Sequence, residues 1–236
     1  MFDLTYILMV VLPGMALSGL ASWMVKSAFD RYSRVGSRRG ISGARAAQML
    51  LDRAGIHDVR VVPTQGYLSD HYNPSTKTLA LSEPVYNSSS VAALGVATHE
   101  AGHAIQHATG YAPLGLRSML VPTVGIGSSI GMYAMMIGAG LAAGGSAFGT
   151  GILLVGVALF SCVLLFQVIT LPVEFNASAR ARRLVVEAGI IDADEREGVD
   201  RVLTAAALTY VAAAVQTALT LLYFLMRSGL LGGRDD

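Results

Sequence analysis

His99 and His103 stand four residues apart, with Glu100 directly after the first, in His99-Glu100-Ala101-Gly102-His103, the pattern H-E-x-x-H. On a helix, positions four apart face the same way and lie about 6 Å apart along the axis. Two imidazoles so placed reach a single zinc ion at about 2 Å. Glu100, adjacent to a ligand, sits beside the metal rather than on it, and there it takes a proton from a water the metal activates. The pattern also arises by chance on amphipathic helices, so a third ligand has to be found.

A catalytic zinc takes three protein ligands and keeps a fourth position open. The metzincin pattern would need Gly at 106 and His at 109, where this chain has Gln106 and Thr109; that class is excluded. His107 is one turn past His103 but about 12 Å along the axis from His99, too far to share one metal. It is assigned a supporting or purely structural role. His57 and His71 lack a partner at helical spacing, and His71 is kept as a candidate donor to the transition state. Glu174 fits best as third ligand, in Leu171-Pro172-Val173-Glu174-Phe175-Asn176-Ala177-Ser178-Ala179-Arg180. A carboxylate there could simply mark the end of a membrane span. Against that, the chain crosses the bilayer twice between His103 and Glu174, an even number, so both return to one side. His-His-Glu is the set that gluzincin-type peptidases use.

The elements that position these residues are long and apolar. Hydrophobic residues make up 53% of the 236 and charged residues 14%, against about 25% charged in an average soluble domain. Leu4–Val25, Ser118–Val173 and Val202–Met226 carry no charge across 22, 56 and 25 positions. A helix needs about 20 apolar residues to cross the hydrocarbon, so the longest run is two spans joined at Gly144–Gly149. Four spans are expected, at 4–25, 119–143, 150–172 and 203–226. No basic residue precedes the first, which reads as a retained anchor rather than a cleaved signal. Of 17 Lys and Arg, 15 lie in 26–117 and 172–204, which puts both segments in the cytoplasm and both termini outside. A net charge of +1 argues against nucleic acid as partner. The single cysteine, Cys162, rules out an intramolecular disulfide and reads as a packed or lipid-facing residue.

The expected domains are a span at 1–25, a cytoplasmic metallopeptidase domain at 26–117, a membrane hairpin at 118–173, the third-ligand helix at 174–202, a span at 203–227 and a tail at 228–236. Inside 26–117, Ser42 caps a helix that Gly55 stops, and Val59–Val62 reads as a strand. Tyr67–Tyr72 and Lys77–Ser82 form an antiparallel hairpin about Asn73-Pro74-Ser75-Thr76. Ser88–Ser90 cap a helix over 91–107 that carries the H-E-x-x-H residues.

HEAGHAIQH followed, after two spans, by LPVEFNASARA resembles the YugP-like neutral zinc metallopeptidases of bacteria across nearly the whole chain. It is more distantly similar to the HtpX-like membrane peptidases and CAAX prenyl proteases. The resemblance implies one zinc per chain on His99, His103 and Glu174, Glu100 as general base, and a site at the cytoplasmic face of the bacterial inner membrane. It also suggests a part in membrane-protein quality control. HtpX-like enzymes place an Asp four residues after the ligand Glu to orient a zinc-bound His, where this chain has Ser178, a weaker orienter.

The expected fold is therefore mainly α: four transmembrane helices with a cytoplasmic gluzincin-like α+β zinc peptidase domain containing a small antiparallel sheet. The expected function is zinc-dependent endopeptidase action on protein or peptide substrates, membrane proteins above all, at the lipid bilayer. Arg180, Arg182, Arg183 and His71 are candidate donors to the tetrahedral oxyanion, though arginines there also serve as positive-inside anchors. Two rivals are an intramembrane site-2-type protease and a non-catalytic zinc-binding scaffold. The first lacks its Asp-Gly partner motif in the later spans, and the second has no need of Glu100.

Overall fold

The computed structural model describes residues 3–229. Helix dominates. In chain order the elements are α1 (Leu4–Tyr6), a π turn (Ile7–Val11), α2 (Leu12–Tyr32), α3 (Gly43–Arg53), β1 (Arg60–Thr64), β2 (His71–Asn73), β3 (Thr78–Ser82) and α4 (Glu83–Tyr86). After these come α5 (Val91–Ala108), α6 (Ala112–Ala143), α7 (Ala147–Glu187), a 3-10 turn (Ala193–Glu195) and α8 (Arg196–Arg227). Residues 230–236 of the expected tail lie outside the described residues. The chain divides into two compact units.

One unit comprises Met1–Leu20, Leu116–Thr170 and Tyr210–Asp236. Leu8, Leu12, Met119, Tyr133, Val155 and Leu165 are large, apolar and exposed on its helices, as hydrocarbon-facing positions should be. Three helical stretches, Leu4–Tyr32, Ala147–Glu187 and Ala193–Arg227, are long and apolar enough to cross a membrane. A fourth crossing exists where Ala112–Gly125 and Gly127–Ala143, bent by 47°, count as one span. Pro122 lies inside that helix and removes a backbone hydrogen bond one turn before the bend.

Within this unit α6 and α7 come close at glycines. A Cβ at Gly138 would lie 2.3 Å from Leu153 N, and one at Gly156 would lie 2.5 Å from Met135 N. Gly131 and Gly138, like Gly149 and Gly156, are two helical turns apart, so each helix offers its small residues along one face. Lipid gives apolar side chains no incentive to associate, and such close backbone packing is how membrane helices hold together. Asp3 caps α1 by accepting from Tyr6 N (2.9 Å) and also accepts from the Tyr223 hydroxyl of α8 (3.1 Å).

The other unit comprises Ala21–Gly115 and Leu171–Thr209. Ser42 accepts from Arg45 N and caps α3, and Gly55 ends it with a positive φ of 68°, a conformation that glycine adopts at little cost. Leu50 and Leu51 of α3, Leu79 and Leu81 of β3, and Leu94 of α5 meet in one buried core. Asn73 Oδ1 accepts from Ser75 N and Thr76 N, closing the turn between β2 and β3. Ser90 accepts from Ala93 N at 3.2 Å and starts α5.

Three expectations need correction. The sheet is mixed rather than antiparallel: its order is β1-β3-β2, with β2 antiparallel to β3 but β1 parallel to it, Val61 opposite Leu79. Turn residues announce the β2–β3 hairpin, whereas β1 reaches β3 only through residues 65–77, which include β2 itself, and no local motif specifies such a crossover. The third span and the helix that carries Glu174 are not separate elements, because α7 runs unbroken through Pro172 to Glu187. Segment 174–202 is not one helix. It leaves α7 at Gly189 (φ 66°), passes the 3-10 turn capped by Asp192, and enters α8 at Arg196.

Candidate metal centre

α5 presents one face toward α7, and at Gly102 the two backbones almost touch: a Cβ there would lie 2.9 Å from Ala177 O and 3.3 Å from its Cα. The donors lie within one turn of this approach: His103 is next to Gly102, His99 one turn before it, and Glu174 one turn before Ala177. His99 Nε2 is 3.2 Å from Glu174 Oε2, and His103 Nε2 is 3.5 Å from the same oxygen. The two imidazoles meet edge to face, with centroids 4.7 Å apart. Among the described residues these three form the one group of His, Cys, Asp or Glu placed to hold a metal ion, with ligand atoms within 4.8 Å of one another. Zinc bonded tetrahedrally at 2.0–2.1 Å holds its ligands about 3.3 Å apart, so the donor set fits that ion.

The site residues are buried. Glu174 is 1% exposed, His103 7% and Glu100 8%. Burial works against a charged His103, but the Glu174 carboxylate it faces and the nearby Glu100 outweigh this and raise its pKa above the usual 6.5. The site favours positive charge between its ligands, whether from a proton or a metal.

Both imidazoles are also held from behind. His99 Nδ1 lies 3.2 Å from Ser178 Oγ, the position four residues after Glu174. His103 Nδ1 lies 3.0 Å from Gln106 Oε1. Arg180 donates through Nε to Asn176 Oδ1 (2.8 Å). Arg182 is occupied by Asp200 and Thr204, and Arg183 by Glu187. His107 and His71 stand outside the group: His107 Nδ1 bonds the Tyr72 hydroxyl at 2.8 Å, and His71 Nδ1 bonds Ser69 O at 2.9 Å. Both side chains are exposed.

Gln106 and Asn176 are functional candidates that the sequence reading passed over. Each is an amide within one turn of a ligand in a stretch of mostly small or apolar residues, a position that hints at a role but names no partner until the two helices are laid together.

The chain belongs to a zinc metallopeptidase family, the one described as "Putative neutral zinc metallopeptidase", whose model matches residues 6–229. Zinc is thus the metal, and peptide hydrolysis the reaction class, that its family's description carries. Over 228 residues it is 43% identical to the "Putative membrane protease YugP" of Bacillus subtilis (strain 168), covering 96% of this chain and 97% of that relative. No solved structure matches.

Proposed function

We propose that this protein is a membrane-embedded zinc endopeptidase that cleaves membrane proteins at the cytoplasmic surface of the bacterial inner membrane. The observation that carries the reading is the convergence of His99 Nε2, His103 Nε2 and Glu174 Oε2 beside a buried Glu100. His99, His103 and Glu174 hold one zinc ion per chain. When bound, zinc polarises a scissile carbonyl and acidifies water.

The protein's own groups do the rest. Glu100 accepts the proton of the attacking water and passes it to the leaving amine. Ser178 orients His99. Arg180, anchored by Asn176, and His71 are the candidates for a donor to the oxyanion. β2 lies at the sheet's edge, where an extended peptide can add as a further strand, bound through its backbone with little demand on sequence. A part in membrane-protein quality control accords with such tolerance.

Two variants test the reading with the purified full-length protein. Glu100→Gln should keep its zinc and lose casein hydrolysis by about 10²–10⁴-fold, because an amide cannot take the water's proton. Chelation of wild type should abolish the same activity. His103→Ala should lose zinc by elemental analysis, and zinc content equal to wild type would refute the ligand assignment.

A further inference from the structure

We infer that Gln106 is a positioning residue that fixes which nitrogen of His103 is free to bind zinc, with Asn176 and Arg180 as the far end of the same relay. The inference rests on the zinc reading above and adds a function for residues that never touch the metal. Gln106 is completely buried. Its Nε2 lies 2.8 Å from Val173 O and 3.0 Å from Asn176 Oδ1, and its Oε1 lies 3.0 Å from His103 Nδ1.

The polarity of this chain is over-determined. An arginine Nε can only donate, so the Asn176 atom that Arg180 meets is an acceptor. That acceptor then requires a donor from Gln106, and the Val173 carbonyl independently requires a second. Both protons of the Gln106 amide are thereby committed, which leaves Oε1 turned to His103 as an acceptor. His103 must answer with Nδ1–H. In the neutral ring, Nε2 is then the atom with the lone pair, and it is the atom that faces Glu174. A ring flip or the other tautomer would bury an unsatisfied amide oxygen, at substantial cost.

The relay also spans the two ligand helices. Gln106 is on α5, three residues past His103, and its partners Val173 and Asn176 flank Glu174 on α7. One buried side chain therefore sets the tautomer of one ligand and holds the backbone next to another. The HtpX-like arrangement asks a single Asp to orient a ligand. Here the duty is divided, with Ser178 behind His99 and Gln106 behind His103.

The test compares Gln106→Leu, Gln106→Glu and Arg180→Leu in the full-length, detergent-solubilised protein. Zinc affinity is read by competition with a chromogenic chelator, and thermal melting is followed with and without zinc. Gln106→Leu should weaken zinc binding about 10–100-fold, the usual effect of removing a ligand's hydrogen-bond partner. Gln106→Glu keeps an acceptor for Nδ1–H but loses both donors. It should recover most of that affinity while melting below wild type in the zinc-free state. Arg180→Leu should do less than Gln106→Leu, since Val173 still demands the same amide orientation. Wild-type affinity in Gln106→Leu would overturn the inference. So would equal weakening in the Leu and Glu variants, which marks a merely structural role. A wild-type protein that takes up no zinc, or zinc uptake undiminished in His103→Ala, would instead overturn the zinc reading and this inference together.

Discussion

Ser178 and His103 show what single residues contribute around Glu174. With a hydroxyl 3.2 Å from His99 Nδ1, Ser178 occupies the orienting position with a neutral partner. Ser178→Ala should therefore lower zinc affinity toward the small end of the range for such partners, about 10-fold, measured by chelator competition. His103 makes the zinc-free protein sensitive to pH. Its pKa is raised in the folded state from the usual 6.5, so the stability it contributes is fully present below pH 6.5 and is lost as pH rises through the higher folded value. Zinc reverses the sign, because its ligands must be deprotonated to bind. Melting curves of the zinc-free protein should fall from mildly acidic to alkaline pH, and the gain on adding zinc should grow over the same interval; parallel curves would contradict this. The grouping of His99, His103 and Glu174 was legible in the sequence because four-residue spacing on a helix is arithmetic and a carboxylate directly after a long uncharged run stands out. Gln106 was not, because a lone glutamine has no fixed partner until α7 is laid beside α5.

The helix pair owes its closeness to Gly102. Replacing glycine by alanine inside a helix ordinarily gains up to about 1 kcal/mol from backbone propensity. At position 102 the new methyl would meet the backbone of Ala177 at 2.9 Å, and overpacking against an unyielding neighbour costs about 1–3 kcal/mol. The second effect wins, and it acts where it also spreads the ligands. Gly102→Ala should melt lower and bind zinc more weakly, whereas Gly115→Ala in α6, with nothing within 4 Å of the added carbon, should melt no lower than wild type. Equal behaviour of the two variants would remove the steric argument. At this scale the sequence was readable where an end signal exists, as at Ser42, Gly55 and Ser90. It divided at Pro172 what the structure joins, since α7 carries both the apolar run and Glu174 as one helix. It was silent on the parallel pairing of β1, since no turn motif joins that strand to its partner.

Across the molecule, the question is which side of the bilayer the metal centre faces. Lys and Arg fall almost wholly in 26–117 and 172–204, and a basic residue close to a span end resists transfer across the membrane. His99 and His103 belong to the first segment and Glu174 to the second, so a common side is needed for one metal to join them. Glu174 directly follows an uncharged run, and on the proposed reading that run ends at the interface, so the centre should lie within roughly 10 Å of it, a turn or two of helix. Deeper burial in hydrocarbon would deprive hydrolysis of water and strand a carboxylate at high cost. Cysteines placed singly at 75 and 190 in a Cys162→Ala background should therefore resist an impermeant thiol reagent in intact cells and react after the membrane is opened. One placed at 146, in the turn between α6 and α7, should react in intact cells. Labelling of 75 and 190 from outside would invert the orientation and confine substrates to the opposite face. The same geometry constrains the products: cleavage sites should map to cytoplasmic loops and juxtamembrane segments. Sites clustered in the middle of transmembrane helices would instead demand a water-filled path into the bilayer and return the reading to an intramembrane protease.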